Sequence, residues 1–381
     1  MDFAFTEEQE ALRETARAFL AGRSGSEQVR AAMESEHGFD PAVWKQIGTE
    51  LGWTALTIPE AFGGLGLGDV ELLALLEPMG EALLCSPFFA TVCLGANALL
   101  VAGSEQQKAA WLPGIAEGET RATLAVAEAS GRWDADGVEA TWAKDGGDYL
   151  LSGAKRYVLD GACADLLVIA ARAPETHGEA GLSLFAVSGD ADGLGRTPLP
   201  TMDRTRRLAA LELDGLRVPA AARLGEEGTA GPALRQILQR AAVALGAEQV
   251  GGAQRCLDMS VGYAKEREQF GRPIGSFQAI KHKCADMMVA VETARSAVYY
   301  AGCVAAEAGP ELPAVASLVK AWCSEAYFRC AAESVQIHGG VGFTWEYDCH
   351  LHLKRARGGE VFLGTPAEHR ERVAREIGLE P

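Results

Sequence analysis

The chain has 381 residues, of which 48% are hydrophobic, with a formal net charge of −17. That length exceeds what one ordinary core organises and predicts two or three packed subdomains. The acidic balance, without any long basic run, argues against nucleic acid or an anionic membrane surface as a partner.

The opening stretch "MDFAFTEEQEALRETARAFLA" carries acidic residues where a secretion signal carries basic ones. From Thr6 it reads as a capped helix with an acidic first turn and an apolar stripe at helical spacing. "DPAVWKQIGTELGW" repeats the device, with Asp40 as cap and Pro41 at the first helical position. The glycine-rich loop "PEAFGGLGLGD" precedes a further helix, and "SEQQKAAWLPGIAEGE" closes an N-terminal helical domain, residues 1–115. Residues 116–222 change period: "TRATLAVAEA", "VEATWAKDGGDYLLSGAKRYVLDG", "ADLLVIAAR", "GLSLFAVSG" and "LAALELDGLRVP" are short β-rich segments between Gly and Asp turns. They predict several antiparallel strands in a small barrel-like or sandwich domain. Residues 223–381 return to long helical repeats, enough for a C-terminal four-helix bundle. The predicted class is therefore α+β, mainly α. No apolar run is long enough to span a membrane. Nine cysteines are scattered without a C-x-x-C pair, which reads as reduced thiols in a cytoplasmic protein.

Two stretches carry the chemical signal. In "KEREQFGRPIGSFQAIKHK" a helix ends on charged groups, turns through Gly271-Arg272-Pro273 and restarts at Ser276. An arginine before such a turn can hold a pyrophosphate with its planar fork, and Phe270 offers a face to a ring; a capped hairpin with solvated charges fits the same residues. In "QIHGGVGFTWEYDCHLHLKRAR" paired glycines let a ligand approach the backbone, and Gln336 has an amide suited to adenine or phosphate. His338, His350 and His352 lack a carboxylate at ligand spacing, so surface or packing roles are expected rather than a metal.

Together "REQFGRPIGSFQ" and "QIHGGVGFT" resemble the signatures of the acyl-CoA dehydrogenase family, and the likeness extends over nearly the whole chain through "FTEEQ", "IPEAFGGLGLG", "GDYLLSGAKRYV" and "TMDRTRRLAALELDGLRVPAAARLGEEG". The resemblance implies helical, β and four-helix domains in that order, a dimer-of-dimers tetramer, FAD across a dimer interface, an acyl-CoA substrate and electron-transfer flavoprotein as electron acceptor. It implies that Arg267, Gln269 and Phe270, with Gln336, Gly339 and Gly340, reach the flavin bound mainly by a neighbouring subunit, supported by Ile274 and Gln278.

The half of the flavin site that the chain's own β domain would build departs from the family pattern. Where the family carries threonine-glutamate-proline and then alanine-glycine-serine-aspartate, this chain reads "AEASGRWD": Glu128, Gly131 and Asp134 match, while Ala127, Ala129 and Trp133 replace threonine, proline and serine. Tyr157-Val158-Leu159 stands where tryptophan-isoleucine-threonine would face the flavin ring. The family's base, a glutamate directly before Gly-Thr, falls on Leu363, and the alternative base position falls on Ala241, next to Arg240. No catalytic residue is therefore assigned, and Glu360 and Glu248 are the relocated-base candidates, with Glu368 beside them. The resemblance then implies a base-lacking subunit, completing the FAD site of a paralogous catalytic subunit in an α2β2 assembly like those that act on CoA thioesters of steroid side chains or other bulky acids. The alternatives are a homotetramer with a relocated base, a flavin- or CoA-binding scaffold without redox chemistry, and the monooxygenase or nitroalkane-oxidase chemistry that the fold also serves.

Overall fold

The computed structural model describes residues 5–379; the first four residues of the stretch read for a leader lie outside them. In chain order it has N-terminal helices, a middle sheet and C-terminal helices, the mainly helical α+β class read from periodicity. Contacts group the chain into two compact units: Met1–Ala31, Asp69–Leu84 and Ala242–Pro381 form one, Ala32–Gly68 and Cys85–Ala241 the other. The division falls inside the helix Gly231–Glu266.

The helical unit is built from Glu7–Arg23, Asp69–Glu81, most of Gly231–Glu266, and then Gln278–Ala306, Leu312–His338, Cys349–Val361 and Pro366–Glu376. Thr6 caps the first of these as expected, its hydroxyl accepting from Gln9 N while the Gln9 amide returns to Thr6 N. Its helices cross closely at glycines: a Cβ on Gly80 would lie 1.9 Å from Glu248 O and one on Gly251 1.8 Å from Glu77 O. Those approaches exclude any side chain larger than hydrogen.

The other unit carries an eight-stranded sheet whose central pairs are antiparallel, from the long hairpin Thr141–Asp145 and Asp148–Leu159 out to Leu208–Val218 and Leu194–Leu199. The strand Ala122–Ala125 pairs in parallel with Leu166–Arg172, beside the several antiparallel strands expected. Leu166–Arg172 is buried along its length, which is why its sequence runs continuously apolar instead of alternating. Leu151, Leu167, Ile169, Phe185, Leu211 and Leu216 form the centre of the sheet's core, with Trp142, Tyr149 and Phe185 meeting edge to face. Asp40 caps Pro41–Lys45 as read, but the helix then continues as a π-turn over Gln46–Glu50.

Among the described residues no helix is long and apolar enough to cross a membrane, and no group of histidine, cysteine or acidic residues could hold a metal. His338, His350 and His352 are all buried, so of the two roles expected for them packing is the one they have. His338 stacks on Tyr263 at 4.3 Å and His352 Nδ1 lies 2.8 Å from the Tyr327 hydroxyl. The nine cysteines are free, and six are buried.

Candidate active site

The first signature folds into a small hairpin. After the helix ends at Glu266, Glu268–Gln269 pairs antiparallel with Arg272–Pro273, and a 3-10 turn at Ile274–Ser276 leads into the helix Gln278–Ala306. Ile274 N donates to Arg267 O at 2.8 Å and closes the hairpin. Phe270 sits at its tip with φ +55° and is 92% exposed, an unusual setting for a phenylalanine that no neighbour in this chain covers. Arg267, Gln269 and Gln278 are exposed as well. Arg272 lies over the Phe277 ring at 4.2 Å, which stiffens the base of the hairpin.

The second signature ends the helix Leu312–His338 on Gly339, whose φ of +64° a residue with a Cβ adopts only under strain. A Cβ on Gly339 or Gly340 would meet nothing within 4 Å, so packing inside the chain does not require either glycine. Gln336 is exposed beside them. All the residues expected to be lent to a neighbour's flavin thus lie in the helical unit, and most present their groups to solvent. That fits a nucleotide cofactor approached from outside the chain.

Of the residues expected to face the chain's own flavin, the two carboxylates have internal partners instead. Glu128 is buried, receives Lys155 Nζ at 2.5 Å and accepts from Ala140 N at 2.9 Å. Lys155 also donates to Val126 O, and burial pushes its amine down to about 8. Asp134 caps the turn Ala135–Gly137 and pairs with Arg132 at 2.9 Å. Trp133 is buried, and Ala127 and Ala129 offer no hydroxyl. Tyr157 has φ +58° and is partly exposed. This half of the site offers few free polar groups for a pyrophosphate or a flavin ring.

At the base position the helix Cys349–Val361 stops, Phe362 is extended, and Leu363 takes the left-handed conformation at φ +62° before Gly364 and the capping box of Thr365 with Glu368. Leu363 is 2% exposed, and its carbonyl accepts from His369 Nε2 at 2.9 Å. Ala241, the other base position, is fully buried. Of the relocated-base candidates, Glu248 is buried against Arg355, Nη1 to Oε1 2.5 Å, and Glu360 pairs with Arg357 on the same helix. Glu368 is held by its own cap, accepting from Thr365 N at 2.7 Å. Sequence reasoning missed Lys320, a buried lysine that donates to the carbonyls of Glu360 and Gly364 on either side of Leu363. Its signal was faint: a lone lysine in "PAVASLVKAWCSEAYF", an otherwise largely apolar helical stretch.

Models of the acyl-CoA dehydrogenase N-terminal, middle and C-terminal domains match residues 6–119, 123–215 and 231–378. The chain belongs to the acyl-CoA dehydrogenase family. Its cofactor is FAD. It is 36% identical over 373 residues to acyl-CoA dehydrogenase IpdE2 of Mycolicibacterium smegmatis, covering 98% of this chain and 99% of that one. The solved ChsE4-ChsE5 complex of Mycobacterium tuberculosis superposes with a TM-score of 0.90 at 29% identity, covering 100% of both chains. The Tcur3481-Tcur3483 steroid ACAD variant does so with a TM-score of 0.88 at 31% identity, covering 97% of this chain and 98% of that one.

Proposed function

We propose that this chain is the non-catalytic subunit of a heteromeric acyl-CoA dehydrogenase, completing the FAD site of a paralogous catalytic subunit in an α2β2 tetramer. One observation carries the reading: a buried leucine, Leu363, stands directly before Gly364-Thr365, where the resemblance puts the glutamate that takes the α-proton. Leucine cannot accept a proton, and general-base catalysis is worth roughly 10²–10⁴-fold. The exposed hairpin and the open Gly339-Gly340 backbone favour lending contacts to another subunit, while the occupied carboxylates and buried Trp133 disfavour a complete site in this chain's own β domain. FAD, when bound, supplies the acceptor for the β-hydride. In that assembly Arg267, Gln269, Phe270, Gln336, Gly339 and Gly340, supported by Ile274 and Gln278, hold its ADP portion from this side. The substrate is an acyl-CoA thioester, with steroid side chains as the class that the likeness to the steroid ACAD favours. Electron-transfer flavoprotein is the acceptor.

Co-expression with a base-containing paralogue tests this. The expected result is a mixed tetramer that retains flavin at only some interfaces and turns over a saturated acyl-CoA, while the chain alone does neither. Rapid flavin bleaching by a saturated acyl-CoA in a preparation of this chain alone would overturn the reading.

A further inference from the structure

Lys320 is fully buried in the helix Leu312–His338, with the carboxylates of Glu360 and Glu368 near enough to favour its charge. Its three ammonium hydrogens face three oxygens: Ser324 Oγ at 2.9 Å, Glu360 O at 3.2 Å and Gly364 O at 2.9 Å. Ser324 is held in turn by Gln249, whose Nε2 donates to it at 3.1 Å. The ammonium is therefore set against the carbonyl end of the helix Cys349–Val361, where unpaired C=O groups and the helix dipole both favour a cation. Burial pushes the amine down to about 7, but three matched acceptors suit its protonated form. Glu360, Glu368, Arg372, Cys323 and His369 are the other charged or titratable groups around it.

The same turn is tied a second time, since His369 Nε2 donates to Leu363 O. Carbonyls at 360, 363 and 364 are thus fixed by side chains from two other helices. Between them Leu363 holds a left-handed backbone, a strained conformation for a residue with a Cβ. An aliphatic side chain draws no benefit from the cation behind the turn, whereas a carboxylate there would.

We propose that Lys320 is the positioning residue of this turn, holding residue 363 in its left-handed conformation and supplying the positive charge against which an acid at that position ionises. The turn thus keeps the backbone contacts and the charge that would serve a carboxylate at 363. The proposal rests on residue 363 being the vacated base position and not on the heteromeric assembly.

The test introduces the acid as Leu363→Glu, alone and combined with Lys320→Met, and follows the added carboxyl by carbon-13 NMR of glutamate-labelled protein against pH. With Lys320 present its midpoint is expected at least about one pH unit lower, a tenfold difference in ionisation. Equal midpoints would overturn the proposal. If Leu363→Glu does not fold, amide hydrogen exchange at Leu363 and Gly364 decides, comparing the natural chain with Lys320→Met and, should that fail to fold, Lys320→Gln. Exchange at least about tenfold faster at those two amides, with the preceding helix unchanged, supports the role; unchanged exchange refutes it. Neither measurement involves flavin, substrate or a partner chain, so failure here is distinct from failure of the subunit reading.

Discussion

Two buried histidines make the helical unit sensitive to mild acid. His352 is 1% exposed, hydrogen-bonded to Tyr327 through Nδ1, and pushed down to about 3 by burial, with Arg255 and Arg355 adding to the effect. His369 is 3% exposed and pushed down to about 4, again chiefly by burial; its Nε2 donates to Leu363 O while its Nδ1 has no partner to receive a second proton's hydrogen bond. Both folded values lie below the ordinary 6.5, so below that pH the unfolded chain binds protons that the folded chain refuses. Their stability is fully present above 6.5 and is lost as pH falls towards 4 and then 3. Each histidine held neutral loses about 1.4 kcal/mol per pH unit across this window, so by pH 5 the pair has lost about 4 kcal/mol. Against a total of ~5–15 kcal/mol that is a large fraction. Urea unfolding followed by tryptophan fluorescence at pH 7, 6 and 5 measures it, with His352→Gln and His369→Gln as controls. Relative to the natural chain, each variant should lose about 2 kcal/mol less between pH 7 and 5. Parallel curves for all three proteins would refute the reasoning.

Other outcomes follow from packing. Arg355→Met strands Glu248 as a buried charge and should destabilise by about 3–5 kcal/mol, most of it recovered in Arg355→Met/Glu248→Leu, as thermal melts would report. Gly251→Ala forces a Cβ to 1.8 Å from a backbone oxygen and should leave little folded protein in a soluble-yield assay; Gly262→Ala, in the same helix with nothing within 4 Å, should stabilise by about 0.5–1 kcal/mol in urea. Lys155→Met should destabilise by about 3–5 kcal/mol because Glu128 is left buried, and Lys155→Met/Glu128→Gln should recover part of this in the same assay.

What the sequence disclosed is mostly local chemistry. Thr6 and Asp40 announce their helices because a cap needs only a side chain and the next three residues, and both caps form. The change from helical to strand periodicity is equally local, since a half-buried strand and an amphipathic helix differ within a few residues. The parallel pairing of Ala122–Ala125 with Leu166–Arg172 was hidden, because register between segments some forty residues apart leaves no mark on either one. So was the role of Lys320, whose partners lie at 324, 360 and 364, with Gln249 behind Ser324; only the fold brings them together. The family motifs carried what periodicity could not: they singled out Leu363, which the structure places in a turn with a left-handed backbone.

The rival to a borrowed base is a relocated one, and the ion pairs decide how far it can go. For Glu248 to take an α-proton its carboxylate must first leave Arg355, breaking a buried pair at about 3–5 kcal/mol. At about 1.4 kcal/mol per tenfold in rate, that loss alone amounts to roughly 10²–10⁴, which cancels the whole contribution expected of a general base. Glu360 faces a smaller penalty, because Arg357 is exposed and a surface pair is worth little, but its backbone carbonyl is bound by Lys320 and its side chain leaves the helix a turn before Leu363. The two substitutions therefore separate the readings. Glu248→Gln should lower stability and leave any turnover of a mixed tetramer in proportion to folded protein; Glu360→Gln should leave both nearly unchanged. A collapse of turnover in Glu360→Gln, with flavin still bound, would place the base in this chain after all.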